Sequence, residues 1–167
     1  MKIFPESDYN FKITGNEVEA LDRLKRRTEF SKSLTSQITD KSFRGIIENN
    51  TFTIISSEIG KGAFCVLKGK IDNQVGQLNI SINKAFQILL SVILCFPVVL
   101  LITDLISEKG RFSIMTLLTV ILMFILIRFL FIEIAFRRLS KSSINRLSDI
   151  LDIERIEKTR HNHKFVL

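Results

Sequence analysis

The chain has 167 residues, of which 46% are hydrophobic and 25% charged, and it carries a formal net charge of +7. That length suggests one small soluble domain plus something else. The charge is not arranged for nucleic acid: Arg23, Lys25, Arg26 and Arg27 alternate with Glu17, Glu19, Asp22 and Glu29, and no aromatic residues are interleaved to stack on bases.

The first 30 residues contain Pro5, six acids and no apolar run, so no cleavable leader is expected there. YNFKI at 9–13 alternates Tyr9, Phe11 and Ile13 and predicts a short strand. Asn16, with Glu19 three residues on, resembles a capping box and opens a predicted helix over 16–34. Val18, Ala20, Leu21 and Leu24 give it one modest apolar stripe. Its bases Arg23, Lys25, Arg26 and Arg27 form a solvated face, with contact to anionic lipid as the second reading.

A phrase then occurs twice. FRGIIENNTFTI begins at Phe43, and LKGKIDNQVGQLNI begins 24 residues later at Leu67. Each copy alternates apolar residues around a turn, at Asn49-Asn50 and at Asp72-Asn73, where Asn tolerates positive φ. The phrase therefore predicts one β-hairpin used twice in an antiparallel sheet. Gly45 and Gly69 are expected to mark a bulge or bend that lets a helix lie close. In the second copy Leu78, Ile80 and Ile82 should point inward, and Gln77, Asn79, Ser81 and Asn83 outward. Gly60-Lys61-Gly62 between the copies lacks the rest of a phosphate loop and is expected to be a turn.

Two apolar stretches follow. No charged residue falls in Ala85–Thr103 or in Phe112–Ile127. About 20 apolar residues cross a bilayer, so spans of 85–106 and 112–133 are predicted. The first holds Pro97, which would kink it; the second holds Arg128 and ends at Glu133. On an α-helix, residues five apart point roughly 140° from each other, so Arg128 and Glu133 are not expected to pair. Pro97, Arg128 and Glu133 are the candidate functional residues inside the spans, against a simpler role for the charged pair as interfacial anchors.

After the second span come Arg137, Arg138, Lys141 and Arg146, whereas the intervening turn offers Lys109 and Arg111 offset by Asp104 and Glu108. Positive charge stays inside, which puts both termini in the cytoplasm. Arg137, Arg138 and Lys141 join Arg23, Lys25, Arg26 and Arg27 as candidate lipid-surface contacts. The N-x-[ST] sites at Asn49 and Asn79 would then go unused. Ile144, Leu147, Ile150 and Leu151 recur at helical spacing, so an amphipathic helix should cover the sheet or lie in the lipid interface. His161 and His163 lack the partners of a metal site, and Cys65 and Cys95 suggest no disulfide.

The order NEVEALDRLKRRTE, FRGIIENNTFTI, LKGKIDNQVGQLNI and then an apolar hairpin resembles a group of small two-span bacterial membrane proteins. The likeness covers roughly residues 10–105 and rests on an F-x-G-x-[IV] hairpin and a G-x-[IV] strand leading to the bilayer. In that group this strand often carries an Arg-Leu-His-Pro-Phe phrase, where this chain reads INKAFQ. The resemblance implies a bacterial inner membrane and no particular chemistry.

The expected architecture is α+β: a small antiparallel sheet of about five strands with helices on one face, plus a two-helix transmembrane hairpin. Residues 1–84 form the cytoplasmic domain, 85–136 the hairpin, and 137–167 a cytoplasmic helix and tail. No catalytic, cofactor or metal motif is present, so the leading expectation is a non-enzymatic module. It would bind a partner or small ligand at the sheet and couple it to the two spans, in a lipid bilayer, with a protein partner or a second copy. The alternatives are a membrane-perturbing effector of a bacterial defence or toxin system, motivated by Arg128, Glu133 and Pro97, and an assembly or immunity partner of another membrane protein.

Overall fold

The computed structural model describes residues 4–35, 37–58, 62–107 and 114–159. In chain order the elements are β1 (Glu6–Ile13), α1 (Glu17–Arg27), β2 (Thr28–Phe30), β3 (Phe43–Glu48), β4 (Thr51–Ser56), β5 (Cys65–Asp72) and β6 (Val75–Ile82). Then follow α2 (Lys84–Ser107), α3 (Ile114–Ile125), a π-helical segment (Leu126–Ile132), α4 (Glu133–Leu151) and β7 (Ile153–Lys158). The strands form one seven-stranded sheet in the order β2-β3-β4-β5-β6-β1-β7. Every neighbouring pair is antiparallel except β2 with β3, which run parallel.

The doubled phrase is the centre of this sheet. Asn49 and Asn73, 24 residues apart, both take positive φ, 48° and 57°. The second turn is Asn73-Gln74, because Asp72 still pairs with Val75; it sits one residue later than the sequence suggested. Phe43, Phe52, Ile54, Leu67, Ile71, Leu78, Ile80 and Ile82 fill the inner face, joined by Phe11 and Ile13 of β1.

Two glycines make room for aromatic rings, the first being Gly69. Its register partner Phe52 lays its ring there, and a Cβ would meet that ring at 2.2 Å. Phe11 does the same over Gly76, at 2.1 Å. Gly45, at φ 148°, lets β3 approach the backbone of Thr53.

Seven strands rather than five result from two short edge strands. The helix expected over 16–34 ends at Arg27. Thr28 is already extended and, with Glu29 and Phe30, pairs alongside β3. The Asn16 cap is present, its side chain accepting from the Val18 N–H at 3.2 Å. At the other edge, the amphipathic helix expected to run on through IERIEK stops at Leu151. Asp152 turns left-handed (φ 50°), and IERIEK pairs with β1. That corner is held from both sides: Thr14 donates its N–H and its hydroxyl to the Asp152 carbonyl, and Arg23 pairs with the Asp152 carboxylate at 2.8 Å.

The amphipathic helix covers the sheet. Phe136, Leu147 and Leu151 of α4 are buried there, with Ala20, Leu21 and Leu24 of α1, and small Ser140 and Ser143 allow close approach. The core also extends into the first turns of the apolar helices, through Leu90, Leu94 and Ile132.

Beyond those turns, α2 and the helix from Ile114 to Leu151 are each long and apolar enough to cross a membrane. Their large side chains face outward: Ile88, Val92, Phe96 and Ile106 on α2, and Met115, Leu118, Leu122 and Phe129 on the other helix, are all exposed. Exposed apolar surface on this scale is what a lipid or protein neighbour would cover.

Candidate functional site: the open sheet face and its junctions with the apolar helices

Opposite the helices, the sheet presents a polar surface. One row across four strands reads Asn10, Gln77, Lys70 and Thr51; the next reads Asp8, Asn79, Lys68 and Thr53. Together they line an open depression of about 560 Å³. Asn79 donates through Nδ2 to both Glu6 Oε1 (2.6 Å) and Asp8 Oδ1 (2.7 Å), which keeps two carboxylates side by side. One strand away, Lys68 and Lys70 supply the opposite sign, Lys70 reaching Asp72 at 3.8 Å. The face is a grid of donors and acceptors with an acidic half and a basic half. That chemistry suits binding of a polar partner.

The segment 31–42 closes one end of this face. Leu34 packs on a small second core of Ile55, Ala63 and Val66. Arg44, nearly fully buried, donates to the Thr35 carbonyl (2.8 Å) and to Ser31 Oγ (3.2 Å). Its Nε lies 3.3 Å from Glu29 Oε2 without hydrogen-bond alignment, so the pair is held by charge alone.

Asn83 joins the segment, the sheet and α2. It was expected to point outward with Gln77 and Asn79; it is buried instead. Its Nδ2 donates to the Leu34 carbonyl (2.8 Å), its N–H to the Phe64 carbonyl, and its own carbonyl accepts from Gln87. Lys84 already belongs to α2, so nothing flexible separates strand from helix. Phe64 and Phe86 meet edge to face at 5.4 Å beside the junction.

The second junction is also continuous, since helix runs unbroken from Ile114 to Leu151. Glu133 accepts from Arg137 Nε at 3.0 Å, one turn on. Arg128 lies within the π segment, its guanidinium 5.5 Å from the Phe129 ring. No Arg128–Glu133 pair is seen: Glu133 takes Arg137 as its partner and Arg128 lies against Phe129. Pro97 lies inside α2, which continues through it.

The candidate basic residues divide into two groups. Arg137, Arg138 and Lys141 occupy the first turns of α4, next to the apolar stretch. Arg23, Arg26 and Arg27 line a recess with Asp149 and Ile150 at the other end of α4. Asp152, the partner of Arg23, is about 28 Å along the helix from Glu133. Arg26 pairs with Asp22 at 2.6 Å, and Lys25 is exposed. The α1 bases thus form no continuous belt with those of α4.

Cys65 is buried in β5, which pushes its thiol up to about 12, while Cys95 is exposed on α2. Among the described residues no three metal-ligating side chains come together. His161 and His163, Gly60 and Lys61, and the turn bases Lys109 and Arg111 lie outside the described residues. Sequence reasoning missed Arg44, Asn83 and the π segment. Arg44 was recoverable in part, as a lone base between Phe43 and Gly45 on a strand.

Fold and site together define an α+β domain joined without linkers to two helices long enough to cross a membrane. No family model, curated protein or solved structure matches this chain.

Proposed function

We propose that this protein is a non-enzymatic, membrane-anchored binding module. Its two apolar helices span the bilayer, the sheet domain lies at the cytoplasmic surface, and the open polar face takes a partner or small polar ligand. The reading rests on one observation: both apolar helices are rigid extensions of the domain, one through Asn83 and the other through an unbroken 38-residue helix. A change at the sheet has no flexible segment in which to dissipate before it reaches the helices. A bacterial inner membrane follows from the family resemblance.

The test has two arms. Membranes carrying the full chain are washed with alkaline carbonate, and the chain should remain in the pellet. A photo-crosslinking residue is then placed at Lys68 or Thr53 in intact membranes, and a discrete adduct is expected. Release into the wash, or the same featureless labelling from both positions as from exposed Lys25, would sink the reading.

The π segment favours a second reading, a membrane-perturbing effector. It puts Arg128 inside an apolar helix at a backbone irregularity of a kind often found at functional sites. Overexpression with a membrane-potential dye separates the two: no depolarisation, with or without stress, counts against the effector.

A further inference from the structure

We propose that the groove between β1, β7 and the first turns of α4 holds the headgroup of an anionic phospholipid. The inference rests on the membrane-spanning reading above and goes beyond it, by assigning a ligand to a site away from the open sheet face. The groove encloses about 360 Å³, and Ser7, Tyr9, Arg137, Ser140, Lys141 and Lys158 are among its walls. Ser7 and Ser140 are buried, and the Ser140 hydroxyl donates to the Arg137 carbonyl at 3.3 Å.

The charge balance favours an anion. Two acids border the groove: Glu133 is paired with Arg137 at 3.0 Å, and Glu6, which accepts from Asn79 at 2.6 Å, leaves a single carboxylate against Lys141 and Lys158. Lys141 and Lys158 reach the groove from α4 and β7 and make no ion pair among the described residues. Two ammonium groups converging from separate elements is chemistry that recognises a phosphate.

Position selects lipid over a soluble anion. Glu133, Phe136, Arg137, Ser140 and Ile144 follow one face of α4 down the groove. The same face continues the other way through Leu130 and Phe129, which are 57% and 58% exposed. An ammonium-lined pocket thus opens directly onto an apolar wall, which is the shape of a phospholipid with its headgroup below and its chains along the helix.

The experiment uses the full chain in nanodiscs made from equal amounts of phosphatidylcholine and phosphatidylglycerol. Retained lipids are counted by native mass spectrometry after gentle extraction. The wild type should keep phosphatidylglycerol selectively, and Lys141→Gln with Lys158→Gln should lower that preference by roughly 10- to 30-fold. Lys25→Gln with Arg26→Gln removes as much charge far from the groove and should change nothing. Should the double variant misfold, Lys158→Glu alone, on an exposed edge strand, gives the same reading. The proposal fails if the groove variants keep the preference, if the α1 variant loses it equally, or if excess inorganic phosphate displaces the lipid. A chain that stays in carbonate-washed membranes without this preference loses the groove assignment alone; a chain released by carbonate loses the spanning reading first.

Discussion

The side-chain amide of Asn83 donates to the carbonyl oxygen of Leu34 at 2.8 Å, tying the 31–42 segment to the first residue before α2. Asn83 is buried, so Asn83→Ala leaves the Leu34 carbonyl short of a donor in a place water reaches poorly. A cost of about 1–3 kcal/mol is expected. Hydrogen exchange should rise first in 31–42 and in the first turn of α2, while the Asn49 hairpin tip stays unchanged. Uniform loss of protection across the sheet would contradict a local clamp.

Gly69 and Phe52 make a second testable pair. Gly69→Ala puts a methyl where the Phe52 ring lies, and overpacking of this kind costs about 1–3 kcal/mol. Phe52→Leu alone should also destabilise, through the lost ring contacts. Combined, the two changes should cost measurably less than their sum, because the smaller side chain makes room for the methyl. Strict additivity in a denaturant series would mean that the ring does not need the glycine.

Much of this was legible in the sequence, for physical reasons. The 24-residue repeat fixed two hairpins because strand alternation and a positive-φ Asn are local properties. The missed edges, β2 and β7, depend on partners far away. TEF and IERIEK carry no clear alternation, and they become strands only because β3 and β1 offer free backbone groups. The Gly69–Phe52 contact was not legible for the same reason: the pairing exists only once register is set. The two basic groups were merged because α4 separates Arg23 from Arg137 by its length, which composition does not record. Asn83 looked solvent-exposed by alternation, but the distant 31–42 segment covers it through Leu34.

Cys65 predicts a pH dependence with a definite sign. Burial holds its proton in the native state up to about 12, whereas an unfolded thiol begins to lose it near its ordinary value of 9. Between those values the native state binds more protons than the unfolded one, so stability from this group falls as pH rises. The stability gap between wild type and Cys65→Ala should therefore narrow from about pH 8 to about pH 10.5. Urea titrations of both chains in the same detergent measure it, and a constant gap would rule out a buried neutral thiol.

The π segment yields the last prediction. A π turn within an α-helix is equivalent to one inserted residue, so the flanking helices keep their phase when one residue is removed there. Phe131 is exposed within that segment, and its deletion should convert Leu126–Ile132 to regular helix. The deletion variant should fold, with a thermal midpoint equal to or above that of wild type. Deleting exposed Ser142 instead, within regular α4, rotates everything after it by about 100° and turns Leu147 and Leu151 out of the core. That variant should lose several kcal/mol. Equal destabilisation by the two deletions would show that the π segment is not a tolerated insertion. If deletion of Phe131 is stabilising, the irregularity is kept at a cost.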